Sequence, residues 1–408
     1  MTRELLGVFS SKTSLRQLAP ALVLLLNTFT WYTFTHQIFT LVVDNLSVSS
    51  FERLLIFVMY FSATAFSALL GAKFLRHTDE NYLVLWMLAG TLMTTFLITV
   101  PENTTLSNSL IGLFFGISVG IGFSACLAYF GDLTTVENRG TSAGIVWATV
   151  SAGTVALTLL TNDLDISQTL VALAAWRALG VIAFFIMKGR TRKAEQLRSP
   201  VAFSSILSRR DMLLYLIPWL LVSLVNFVES PMLETLFGDF YITAEFIEFA
   251  LAAVLALLAG IMADRVGRKR IIIAGFVMLG IGYAVLSFFS GLTFSLYLFT
   301  ACDGIAWGMF TSVFFITLWG DLAHEYEKDK YYVLGGLPFL VAGFSTILVK
   351  PYVQFMSTIV SFSLASFFLF FAVLPLLSAP ETLPEKEIRS KELRSYAEMA
   401  KKARDKKS

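Results

Sequence analysis

Stretches of about 20 apolar residues, each long enough for a helix to cross the hydrocarbon core of a bilayer, recur along the whole of this 408-residue chain. They begin near Leu18, Leu54, Tyr82, Ser109, Gly140 and Gln168 and, after a basic polar stretch, near Met212, Ala244, Ile271, Thr293, Tyr331 and Ser357. In hydrocarbon every backbone amide needs a partner within its own segment, so such runs dictate helices. The pattern predicts an all-α polytopic membrane protein of about twelve transmembrane helices in two pseudo-symmetric six-helix halves. Merging runs around 229–248 or 350–357 would make the count eleven. The expected segments are 1–17, a cytoplasmic N-terminal stretch; 18–187, the first half; 188–211, a cytoplasmic linker; 212–380, the second half; and 381–408, a charged tail. Composition agrees: 15% of residues are charged, against roughly 25% in soluble domains. The first apolar run is too long for a cleaved leader and should remain as an anchor.

Lysine and arginine accumulate on the cytoplasmic side of short loops. With an even number of spans both termini share a side, which collects all but three of the 31 basic residues, the exceptions being Arg53, Arg177 and Lys350. The opposite loops carry Asp44, Glu102, Asp163, Asp165, Glu234 and Asp239, together with the glycosylation-type triplets Asn45-Leu46-Ser47 and Asn103-Thr104-Thr105. A multi-pass protein of the plasma membrane follows, with cytoplasmic N- and C-termini, expected to work as a monomer in the lipid bilayer and to contact no nucleic acid. In the tail, Glu387/Lys391 and Glu398/Lys402 have the i,i+4 spacing of a solvated helix. Cys126 and Cys302 lie in apolar runs without partner spacing, suggesting neither a disulfide framework nor a metal site.

The halves echo each other, as in transporters built from repeats. Gly131-Asp132-Leu133 ends the fourth span with Arg139 seven residues after the Asp; Gly320-Asp321-Leu322 ends the tenth with Lys328 at the same interval. Leu18-Ala19-Pro20 and Leu216-Ile217-Pro218 open the first span of each half, followed by Asn27 and Asn226. Between the eighth and ninth spans, Gly260-Ile261-Met262-Ala263-Asp264-Arg265-Val266-Gly267-Arg268-Lys269-Arg270 combines glycines suited to close approach and a tight turn with one carboxylate among cations. Such a carboxylate can bind helix N-terminal amides or an arginine across the interface of the halves and hold a gate shut.

That stretch resembles the loop signature of the major facilitator superfamily, matched at Gly260, Ala263, Asp264, Gly267, Arg268 and Lys269. The resemblance implies a cytoplasmic loop whose Asp264 stabilises an outward-open state, and a central cavity lined by the first, fourth, seventh and tenth helices. The Asp132/Arg139 and Asp321/Lys328 spacings and Pro380-Glu381-Thr382-Leu383 look like features of sugar-porter-like members, although Thr135 stands where a Pro is usual. The first-half loop, Gly71 to Thr78, keeps the Gly and the basic character but has Leu75 in place of the Asp. No Pro interrupts the fifth span, so the Gly-Pro signature of proton-coupled drug antiporters is missing. Gly112, Gly116 and Gly120 form a GxxxGxxxG face whose plainest role is helix packing.

Ionisable residues inside spans cost about 2.5 to 3.5 kcal/mol each at mid-helix and are functional candidates by default. Asp303 is the foremost, because Thr300, Asp303, Trp307 and Thr311 share one helix face that reads as a cavity wall. Glu229 and Asn226 share a face of the seventh span; Thr28, Tyr32, Thr35 and His36 share one on the first. His36 is either a packing residue or, titrating near neutrality, a proton carrier. Arg177 in the sixth span is either functional or engaged in a structural ion pair or snorkelling. Glu229 and Glu248 stand either inside a span or at its outer interface, and Lys350 reads as an interfacial anchor.

Phosphate loops, nucleophile elbows and zinc motifs are missing; His324-Glu325-Tyr326-Glu327-Lys328 lacks the second His of a zinc site. No enzyme and no cofactor is expected. The reading is a secondary active transporter of a small, polar solute, a symporter coupled to H+ through a carboxylate such as Asp303 that loads and releases a proton as water access changes sides. A facilitative uniporter or efflux carrier of the same fold is the alternative. A channel would want a selectivity filter, and a lipid-handling protein a catalytic or lipid site, neither of which the sequence shows.

Overall fold

A computed structural model describes residues 15–74, 80–99, 105–188, 201–323 and 327–384. The segments 1–14 and 189–200, the loop at Leu75, the triplet beginning at Asn103, the His324-Glu325-Tyr326 stretch and the tail pairs Glu387/Lys391 and Glu398/Lys402 lie outside the described residues. The first six long helices are α1 (Leu15–Asp44), α2 (Ser50–Phe74), α3 (Glu80–Thr99), α4 (Thr105–Leu133), α5 (Arg139–Thr161) and α6 (Ile166–Met187). The last six are α7 (Arg210–Phe237), α8 (Tyr241–Val266), α9 (Arg268–Phe289), α10 (Thr293–Met309, extended through Leu322), α11 (Lys328–Val349) and α12 (Thr358–Ser378).

Eleven helical stretches among the described residues are long and apolar enough to cross a membrane. One of them, Arg210–Val266, is 57 residues long, roughly 85 Å if straight. It is interrupted at Gly238, whose φ of 50° and ψ of −127° leave the helical region and suit only a residue without a Cβ. The second arm then runs back to the side where the first began: near the start of α7 the Tyr215 hydroxyl donates to the Pro380 carbonyl at 2.6 Å, and just past the end of α8 the amide of Arg268, first in α9, donates to neighbouring Glu381 at 2.8 Å. Two crossings therefore replace one, giving twelve in all among the described residues.

Between helices in lipid there is no apolar surface to hide from water, so close backbone approach carries the packing. The α4 glycine face does this against α2: a Cβ at Gly116 would stand 2.4 Å from the Tyr60 carbonyl oxygen, and one at Gly120 2.2 Å from that of Thr64. Overpacking costs about 1–3 kcal/mol. Gly120→Ala should accordingly lower the melting midpoint of the purified protein in detergent. Gly291→Ala, where nothing lies within 4 Å of the added carbon, should leave it unchanged. Equal midpoints for the two variants would refute the packing role.

Alternation of the helices gives the molecule a basic face, with Arg139, Arg268, Lys328 and Lys330, and an opposite acidic face, with Asp44, Asp163, Asp165 and Asp239. Lys350 joins the two halves at the acidic face, 3.2 Å from Asp44.

Candidate functional site

A cavity of about 300 Å³ lies among α7, α8 and α10, with Trp147 of α5 and Phe339 of α11 also lining it. From α10 it takes Thr300, Asp303, Trp307 and Thr311, and from α7 Asn226 and Ser230. From α8 come Tyr241, Glu245 and Glu248. Glu248 was open between an interfacial and an internal place in the sequence; it lies inside, lining the cavity together with Asp303 and Trp307. Three carboxyl groups thus face the cavity, and none of its lining residues is Lys, Arg or His.

The helix that brings Asp303 to the cavity continues to the basic face through a nine-residue π-helical stretch, Phe310–Leu318, where the Thr317 hydroxyl donates to the Ser312 carbonyl five residues earlier at 2.7 Å. Wide turns of this kind are rare and concentrate at functional sites. Beyond it stands Asp321, whose side chain is fully buried and binds Arg139 of α5 and, at 3.0 Å, Arg268. Along α10 the 18 residues from Asp303 to Asp321 correspond to roughly 25 Å, so cavity and ionic cluster occupy different levels of the membrane.

The ionic cluster ties the first six helices to the last six. The acid and base within each repeat motif do not pair with each other: Asp321 takes Arg139, and Asp132 takes Lys328 at 2.5 Å. Asp264 accepts from the Gly140 and Thr141 amides at 3.0 and 2.7 Å and from the Thr141 hydroxyl at 2.6 Å, while pairing with Arg268 at 2.8 Å. It caps α5 from the other half, where that helix's own N-cap residue, Asn138, makes no side-chain cap. The approach needs Gly260, since a Cβ there would lie 2.2 Å from the Gly140 carbonyl oxygen. Gly267 adopts φ 103°, and a Cβ on it would strike Glu381. Glu381, which the sequence marked only as part of an ending motif, caps α9 through the Arg268 and Lys269 amides at 2.8 and 3.1 Å. Arg268 also donates to the Val136 carbonyl across the interface at 2.5 Å.

Several sequence candidates lie elsewhere. His36 stacks between Tyr32 and Tyr60, with Nδ1 3.2 Å from the Tyr60 hydroxyl, and neither His36 nor Tyr32 lines the Asp303 cavity. Arg177 is fully buried but forms no ion pair among the described residues and does not snorkel. Its guanidinium lies over Trp31 at 4.5 Å and Trp86 at 5.0 Å and donates to Asn27 and Thr28. Two ring faces and two neutral oxygens take the place of a carboxylate there. Asn27, matched with Asn226 in the sequence, serves this arginine, whereas Asn226 lines the cavity. Glu229 is buried on α7, on the face carrying Asn226 and Leu233, and its Oε2 has no hydrogen-bond partner. The sequence reading missed Glu245, Trp147 and Phe339. Glu245 and Glu248 had a visible signal, two acids at i,i+3 spacing within an apolar run.

Among solved structures, the chain superposes on the human organic anion transporter MFSD10 (TETRAN) with a TM-score of 0.62 at 15% identity, covering 88% of this chain and 98% of that one. A bacterial homologue of the iron transporter ferroportin, in an outward-facing state, gives 0.65 at 16% identity, covering 89% and 97%. The chain has a major facilitator fold. No family model and no curated protein matches the sequence. At these identities the likeness concerns the fold, and what each neighbour carries belongs to that neighbour.

Proposed function

We propose that this protein is a proton-coupled secondary transporter of a small solute, alternating access by rocking residues 1–190 against residues 210–385 around the Asp303 cavity. The observation that carries the reading is the pairing of that cavity, walled by Asp303, Glu248 and Glu245, with an ionic cluster that bridges the halves at the basic face. An interface held by discrete ion pairs has two arrangements, made and broken, which alternation requires. The lysines and arginines of the basic face support a cytoplasmic assignment for it, with the termini inside; a monomer in the plasma membrane is part of the same proposal. Asp303 with Glu248 holds the coupling proton; Asn226 and Trp307 position the solute; Asp132, Arg139, Asp264, Arg268, Asp321 and Lys328, with Gly260 and Gly267, form the inner gate. The test begins with a screen for solutes that raise the melting midpoint of the purified protein, followed by transport of the best one in proteoliposomes. Saturable counterflow and accumulation that follows an imposed pH gradient are expected. Flux rising linearly with concentration would indicate a channel, and accumulation indifferent to the gradient a uniporter; either result overturns the reading.

A further inference from the structure

We infer that the solute is an organic cation with an apolar or aromatic body, which displaces protons from the cavity carboxyls and is therefore exchanged for them; this rests on the transporter reading above. The wall chemistry is one-sided. Glu245, Glu248 and Asp303 line the cavity with no basic side chain among the lining residues to neutralise them, and the buried Glu229, on the wall-bearing face of α7, leaves Oε2 without a partner. Carboxylates so placed within a membrane are tolerated only when a proton or another cation compensates them. An anionic solute would meet only acids, and a neutral polar one would leave their charge uncompensated.

The rest of the lining fixes what sort of cation fits. Trp147, Tyr241, Phe299, Trp307 and Phe339 present rings around the acids. Aromatic faces attract alkylated ammonium groups, whose diffuse charge and apolar surface suit such a box. A bare metal ion does not: among the described residues no group of His, Cys, Asp and Glu has the arrangement to hold one. A volume of about 300 Å³ stands at the lower end of ligand pockets, roughly 300–1,000 Å³, which indicates a compact amine rather than a large one. Because cation and proton use the same carboxyls, loading one expels the other. Exchange of a cation for H+ is thus inferred, beside the sequence expectation of a symporter carrying a polar solute.

The test uses the purified full-length protein and three probes of one size: phenyltrimethylammonium, its neutral carbon analogue tert-butylbenzene, and benzenesulfonate. Only the cation should raise the melting midpoint saturably. Its affinity should weaken as pH falls, and binding in weakly buffered solution should release protons to a pH indicator. Glu245→Gln should weaken binding roughly tenfold or more, since it removes a charge that faces the ligand, with melting in the absence of probe confirming that the variant is folded. Protection by benzenesulfonate or tert-butylbenzene equal to that by the cation, protection by none of the three, or unaltered affinity in folded Glu245→Gln overturns the inference. Cation binding without proton release would instead overturn proton coupling while leaving the cation assignment standing. Proton-linked binding of the sulfonate would do the reverse.

Discussion

Asp321→Asn should unlatch the basic face. Its carboxylate is the shared acceptor of Arg139 and Arg268, whose side chains are 4% and 0% exposed, and asparagine keeps the shape while removing the charge that Arg139 pairs with and leaving Arg268 with Asp264 alone. Removing one partner from a buried ion pair costs about 3–5 kcal/mol. The penalty falls on the conformer in which the cluster is assembled, so the equilibrium moves towards the conformer open at that face by a factor of roughly 10² to several times 10³. Asp264→Asn should act in the same direction with a smaller effect, about 1–3 kcal/mol, because the one amide oxygen can still accept from Thr141 while the bond from the Gly140 amide is lost. The measurement is labelling of a cysteine placed at Thr317, fully buried on the π-helical stretch, after Cys126 and Cys302, both buried, have been replaced. In Asp321→Asn a membrane-impermeant maleimide should react faster with it in inside-out vesicles and not in right-side-out ones. Labelling as slow as in the parent, in a variant that melts normally, would mean that the cluster does not gate; acceleration only from the outside would mean that the basic face is external.

The spans could be read from the sequence because the bilayer imposes one length on every crossing and one chemistry on its surface. Even the interruption inside Arg210–Val266 was visible in outline, as an uncertain boundary around 229–248, for Gly238 is flanked by Asp239 and preceded by Glu234 in an otherwise apolar run. Partner choice was not legible. Asp132 and Arg139 are seven residues apart in sequence, yet Asp132 binds Lys328, far along the chain, because a loop that ends one helix and begins the next directs its charges across to the other half. Spacing along one helix identified Thr300, Asp303, Trp307 and Thr311 as one face, and all four line the cavity. The same logic placed Tyr32 and His36 together but could not show which neighbours they would face, and they meet Tyr60. Arg177 shows the limit in energetic terms: a buried cation suggested a carboxylate partner, and tryptophan faces serve in its place.

Asp303→Asn should separate proton coupling from solute movement. Asp303 lines the cavity beside Glu248 and Trp307, and asparagine keeps the shape of the protonated acid, with one oxygen to accept and an NH₂ to donate. What disappears is the ability to gain and lose a proton. The variant therefore stands fixed in the state that the protonated acid would have, and the step in which a proton leaves as water access changes sides cannot occur. In proteoliposomes, accumulation of the solute identified by thermal stabilisation should no longer follow an imposed pH gradient, falling to the level of passive equilibration. Exchange of labelled for unlabelled solute should persist, since Glu245 and Glu248 still face the cavity and the gate residues are untouched. Glu245→Gln supplies the contrast: it removes a wall charge other than that of Asp303, so it should weaken solute binding while leaving whatever accumulation remains sensitive to the gradient. Gradient-driven accumulation by Asp303→Asn at the parent level would assign Asp303 a structural role and move the coupling proton to Glu248 or to the buried Glu229.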